Sequence, residues 1–153
     1  MIKVVSVESM RSIEAAANES VMSYDEMMDN AGRATAFRAL EIVEELDSPR
    51  ITLLIGAGNN GGDGLVTARY LAENPAVEVR LYLLKKRDDA RFNEIEPLGL
   101  FVAYAEDDHD GRVLRNMTAS ADLVIDALFG IGIRLPIRGE AATLLRHARR
   151  GIN

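Results

Sequence analysis

The chain has 153 residues, 48% of them apolar and 27% charged, which suits one packed domain and excludes wholesale disorder. Its 18 basic and 24 acidic side chains give a net charge of −6, which argues against a nucleic-acid surface. The absence of cysteine excludes disulfides, thiolate zinc sites and cysteine nucleophiles. No apolar run approaches the ~18 residues of a membrane span and the N-terminus lacks a signal-peptide profile, so a cytoplasmic protein without membrane partners is expected.

A short helix is predicted over residues 7–19. Ser23-Tyr24-Asp25-Glu26 then has the form of a capping box. Behind it Met28, Ala31, Thr35, Ala39, Ile42 and Leu46 recur at three or four residues, the stripe of a helix burying one face. Pro49 ends this helical extension. From there strand, loop and helix alternate. Ile51-Thr52-Leu53-Leu54-Ile55 is an apolar run suited to a strand buried on both faces. A glycine-rich loop is expected over residues 56–64, followed by a helix with Leu65, Ala68 and Leu71 on one face. Further strands are predicted at 77–84, 100–104 and 122–128, with helices at 90–97, 112–119 and 139–150. Such alternation specifies an α/β fold: a Rossmann-like three-layer sandwich with a mainly parallel sheet and an N-terminal helical extension. Residues 1–153 read as a single domain. Gly151-Ile152-Asn153 stands where the next strand would begin, so a domain lacking its C-terminal strands is expected.

Gly56-Ala57-Gly58-Asn59-Asn60-Gly61 matches Gly-x-Gly-x-x-Gly between a strand and a helix. Glycines there allow close backbone approach, and a helix N-terminus offers N–H groups to a phosphate. An ordinary dinucleotide site carries an acid after the second strand; here Lys85-Lys86-Arg87 stands instead. Those bases could meet a ribose 2′-phosphate, but solvated charges at a strand end are the simpler account. The loop continues as Gly62-Asp63-Gly64, and the bland alternative is a glycine turn with Asp63 as an N-cap.

A second loop, Asp126-Ala127-Leu128-Phe129-Gly130-Ile131-Gly132, closes the fourth strand. In doubly wound sheets the first and fourth strands are neighbours at the switch point, so the two loops should face one another there. Asp126 would lie beside Asn59 and Asn60, an all-oxygen set suited to a hard cation. Asp126 bonded to loop N–H groups as structural glue is the equal alternative. His109 and His147 read as isolated surface histidines, Met22, Met27 and Met28 as packing residues, and Glu106-Asp107-Asp108 as a solvated loop.

The combination of Gly58-Asn59-Asn60-Gly61-Gly62-Asp63-Gly64 with Asp126-Ala127-Leu128-Phe129-Gly130-Ile131-Gly132 resembles the YjeF N-terminal domain family, the NAD(P)HX epimerases. Met10-Arg11 with Glu14, and Met27-Met28-Asp29-Asn30-Ala31-Gly32, resemble its two N-terminal helical motifs. The resemblance implies an epimerase interconverting the R and S hydrates of NADH or NADPH, which needs a group to move protons at the hydroxylated ring carbon. It implies substrate contacts from Asn59, Asn60, Gly61, Gly62 and Asp63, and from Gly130, Ile131, Gly132, Ile133, Arg134, Leu135 and Pro136. It further implies a potassium ion held by Asn60 and Asp126, a homodimer, and a dehydratase partner, fused or separate. The family's catalytic aspartate, in an Asp-x-Pro-Ser-Gly stretch, has no counterpart here, so no catalytic residue is assigned. Two other readings compete: a non-catalytic nucleotide-binding or dimerisation module, resembling a domain of an mRNA-decapping scaffold protein, and an ordinary NADP-dependent reductase.

Overall fold

The computed structural model describes residues 4–133 and 135–152. Two helices lead: α1 (Val7–Ser20), capped by Ser6 accepting from the Ser9 N–H, and α2 (Tyr24–Val43). The capping box forms as its residue types dictate: Glu26 N–H donates to Ser23 Oγ at 3.2 Å, and Ser23 N–H to Glu26 Oε2 at 2.8 Å. The order that follows is β1 (Arg50–Ile55), α3 (Asn59–Ala72), β2 (Glu78–Leu83), α4 (Ala90–Ile95), a 3₁₀ turn (Glu96–Leu98), β3 (Phe101–Tyr104), α5 (Arg112–Ala119), β4 (Leu123–Ala127) and α6 (Gly139–Gly151).

The four strands form one sheet in the order β3-β2-β1-β4, every pairing parallel. The first and fourth strands are therefore adjacent, as the switch-point rule required, with Leu53 opposite Ile125 and Leu54 opposite Asp126. Strand parity divides the core into two layers. Odd residues Ile51, Leu53 and Ile55 pack with Ala36, Ala39, Leu65, Ala68 and Leu71 on the α2–α3 side. Even residues Leu54 and Tyr82 pack with Leu114, Met117, Leu144 and Ala148 on the α5–α6 side. The one polar side chain buried in β1, Thr52, donates to the Met117 carbonyl at 3.3 Å and accepts from Arg80 at 3.1 Å. The three-layer expectation holds.

Two local readings are corrected. The buried stripe of α2 is Gly32, Ala36, Ala39 and Val43, whereas Ala31, Thr35, Ile42 and Leu46 are exposed. Small residues win because α2 lies hard against α3: a Cβ on Gly32 would come within 2.5 Å of Val66 Cγ1. The glycine-rich stretch is also less of a loop than expected, since α3 begins at Asn59 and takes Gly61, Gly62 and Gly64 into its first turns. Each glycine costs a helix about 1 kcal/mol against alanine. What offsets that cost is proximity: a Cβ on Gly62 would meet Met28 at 2.9 Å, and one on Gly64 would meet Ala127 at 2.6 Å. Asp63 thus sits inside the helix, and the residue at the N-cap is Gly58. Among the described residues no helix is long and apolar enough to cross a membrane.

Candidate functional site

Residues 56–58 turn the chain from β1 into α3 at the carboxyl end of the sheet, where open α/β folds bind ligands. Gly56 N–H donates to the Ala127 carbonyl at 3.0 Å, joining the start of the first loop to the end of β4. A Cβ on Gly56 would strike the Leu128 carbonyl, and one on Gly61 would strike the Gly56 carbonyl oxygen, so both positions exist for backbone approach. No side chain caps α3 among the described residues. Its first N–H groups and the positive end of its dipole are therefore left without a side-chain cap, an arrangement suited to receive an anion.

A side chain adds a second tie between the loops. Asn60 Nδ2 donates to the Phe129 carbonyl at 3.0 Å, and Gly130 lies alongside, where a Cβ would be 3.3 Å from Asn60 Cβ. Asp126, exposed at the end of β4, uses Oδ1 to accept from the Leu128 N–H at 2.9 Å. That bond is the structural-glue role; Asp126 Oδ2 and Asn60 Oδ1 accept nothing among the described residues. Asn59 is exposed. Beyond Gly130 the chain turns, Ile133 N–H donating to the Gly130 carbonyl at 3.2 Å, and leaves Ile131, Ile133 and Leu135 exposed with Pro136. Arg134 lies outside the described residues.

The N-terminal helix supplies the rim. Arg11 Nη2 reaches within 3.8 Å of where a Cβ on Gly132 would stand. Glu14 lies close enough to Asp63 to act on it electrostatically: burial first, and then the Glu14 charge, raise the half-buried Asp63 carboxyl above its usual range. Arg11 and Glu14 entered the sequence reading only through a resemblance. Arg11 stands by the second loop and Glu14 by Asp63 in the first turns of α3.

One of the three bases after the second strand departs from the solvated account. Lys85 and Lys86 are exposed, and Lys86 pairs with Glu106, as solvated strand-end charges should. Arg87 turns back beneath the first loop, with Nη1 2.8 Å from the Gly56 carbonyl and 3.2 Å from that of Gly58. Its Nε donates to Asp89 Oδ2 at 2.6 Å. Two further expectations fail away from the loops. Asp108 is buried, accepting from Tyr82 Oη and from the Val113 and Leu114 N–H groups that open α5. His147 is half-buried against Gly111, with Nδ1 2.8 Å from Arg115 Nη1. Cavities of about 500 and 370 Å³ lie around Phe37 and Leu40. The first is lined by Pro49, Asn74 and Ala76 and the second by Asn74 and Pro75, residues that precede β1 or β2, so they open at the opposite end of the sheet from the loops.

A family model described as "YjeF-related protein N-terminus" matches residues 24–151. The chain belongs to that family. YjeF-related relatives include a protein of Rhodobacter capsulatus named NAD(P)H-hydrate epimerase, 34% identical over 91% of this chain and 67% of its own length. A second of that name, from Elusimicrobium minutum, is 33% identical over 86% of this chain and 62% of its own. A protein of Methanopyrus kandleri named bifunctional NAD(P)H-hydrate repair enzyme is 29% identical, with 96% of this chain covering 30% of it. This YjeF-related chain thus spans about two thirds of the length of the shorter relatives. A yeast protein of known crystal structure superimposes with a TM-score of 0.80 at 20% identity, over 95% of this chain and 64% of that one, which establishes a shared fold.

Proposed function

We propose that this chain carries the dinucleotide-binding loops of an NAD(P)H-hydrate epimerase, which interconverts the R and S hydrates of NADH and NADPH. The observation that carries the reading is the Asn60–Phe129 bond, which closes two glycine loops over adjacent strand ends in a family whose relatives bear that name. Pyrophosphate would lie at the N-terminus of α3. Asn59 to Asp63, and the second loop from Gly130 to Pro136 including Arg134, would line the dinucleotide.

A monovalent cation fits the donor set, because Asn60 Oδ1 and Asp126 Oδ2, which accept nothing among the described residues, bring a single carboxylate charge. Potassium, when bound, would offset phosphate charge between the loops. The reading also includes a homodimer, action in the cytoplasm, and a dehydratase partner, fused or separate; relatives named bifunctional support the last.

Inversion at the hydrated carbon needs an acid–base group within ~2.6–3.2 Å of the proton it moves. In this reading that group comes from a strand added at the open edge of β4. The test follows R-to-S conversion of hydrated NADPH by this chain and by a chimera continuing into the C-terminal third of the Rhodobacter relative. The chimera should be faster by about 10²–10⁴-fold, the usual worth of general acid–base catalysis. Equal rates at substantial turnover would assign the proton transfer to residues already present, and binding without turnover in both would leave a nucleotide-binding module.

A further inference from the structure

Glycine permits more backbone conformations than any other residue, so a loop containing Gly56 and Gly58 does not orient its own peptides. The Gly62 N–H of α3 holds the Gly58 carbonyl at 3.2 Å, but no backbone donor among the described residues reaches that of Gly56. Arg87 is the side chain that reaches it: 11% exposed, it donates through Nη1 to both glycine carbonyls while Nε is held by Asp89. Asp89 is itself fixed as the N-cap of α4, where its Oδ1 accepts from the Arg91 and Phe92 N–H groups at 3.1 and 3.3 Å. Burial alone would raise the Asp89 carboxyl, but the Arg87 bond and charge, with those two N–H groups, lower it and keep it ionised as a brace.

In a planar trans peptide the carbonyl points away from the following N–H. Anchoring the Gly56 oxygen to Arg87, and the Gly58 oxygen to Arg87 together with the Gly62 N–H, thereby turns the Ala57 and Asn59 N–H groups away from the guanidinium. Neither N–H has a protein acceptor among the described residues. We infer that Arg87 is a positioning residue: it aims the Ala57 and Asn59 N–H groups of the first glycine loop at the phosphates of a dinucleotide without touching that ligand. Asp89 neutralises the guanidinium, so its effect is orientation rather than added charge. A lysine keeps the charge but cannot span two carbonyls and a carboxylate.

The ligand part of this inference rests on the dinucleotide reading, and the experiment separates the two. NADPH is titrated into wild type, Arg87→Ala, Arg87→Lys and Val43→Ala, the last a core change in α2 far from the loops. Both Arg87 variants should bind about tenfold or more weakly, the worth of a charge-assisted hydrogen bond, while Val43→Ala binds as wild type. Without ligand, ¹⁵N relaxation at Ala57 and Asn59 should fall from the rigid range near ~0.85 toward ~0.6 in Arg87→Ala and stay high in Val43→Ala. If wild type does not bind NADPH, the dinucleotide reading falls and the relaxation data alone decide the role of Arg87. Unchanged relaxation in Arg87→Ala, wild-type affinity in Arg87→Lys, or an equal loss in Val43→Ala would overturn the inference.

Discussion

Asn60 Nδ2 and the Phe129 carbonyl oxygen lie 3.0 Å apart and join two loops separated by 69 residues of sequence. Asn60→Ala removes that tie and one of the two side-chain oxygens proposed to hold the cation. The expected outcome is a stability loss of about 0.5–1.5 kcal/mol, one net hydrogen bond, with weaker NADPH binding that no longer responds to potassium. Urea denaturation, and titration in potassium against tetramethylammonium chloride, measure the two effects. A potassium response that survives in the variant removes Asn60 from the cation site.

The glycines of the first loop are not equivalent. A Cβ on Gly58 meets nothing within 4 Å and its φ of −96° suits any residue, whereas one on Gly61 lands on the Gly56 carbonyl. Gly58→Ala should leave stability unchanged or raise it by up to about 1 kcal/mol through the unfolded chain. Gly61→Ala should cost about 1–3 kcal/mol, as overpacking does, and displace the carbonyl that Arg87 holds. Coincident denaturation midpoints for the two variants would contradict this geometry.

Asp63 has a raised folded-state pKa, so its protonated form is the one the fold prefers. Stability from this group is complete below the unfolded value of 3.8 and is lost as pH rises through the folded value. Asp63→Asn is therefore expected to melt higher than wild type at neutral pH, with the advantage shrinking as pH falls toward 3.8. Glu14→Gln should act in the same direction and less strongly. Melting curves across that interval check it; a difference independent of pH would show that the Asp63 charge is not what the fold resists.

Asp108 has the opposite sign. Burial alone would raise its carboxyl, but the Leu114 and Val113 N–H groups, then Tyr82, outweigh that and lower it. Its contribution is present above the unfolded value of 3.8 and disappears as pH falls through the lower folded value. In Asp108→Asn the new amide can turn only one oxygen toward two backbone donors, and the cost at neutral pH should be about 1.5–3 kcal/mol. Wild type and variant should converge in acid, and denaturant titrations at neutral and acidic pH would reveal failure to do so.

The sheet was legible because buried parallel strands leave apolar runs such as Ile51 to Ile55, and the switch-point rule then orders them. The meeting of the two loops followed from the adjacency of β1 and β4. Helix α3 was read too short because glycine propensity argues against Gly61 and Gly62, and only tertiary proximity reverses that preference. The α2 stripe was misread because close helix packing selects Gly32 and Ala36 over larger residues. Arg87 was hidden for another reason: its partners are backbone carbonyls 31 and 29 residues away, which carry no side-chain signal. Asp108 was hidden likewise, because the hydroxyl it satisfies belongs to Tyr82 on another element.

Helix α1 brings Arg11 to the second loop and Glu14 to Asp63, yet none of its residues is buried. Elements with so little buried apolar surface open at a small fraction of the global unfolding free energy. The rim is thus assembled only in the fraction of molecules whose α1 is docked. A ligand that needs the rim binds with its intrinsic dissociation constant divided by that fraction. In the proposed dinucleotide reading, affinity is therefore set partly by an equilibrium in which the two glycine loops do not change at all.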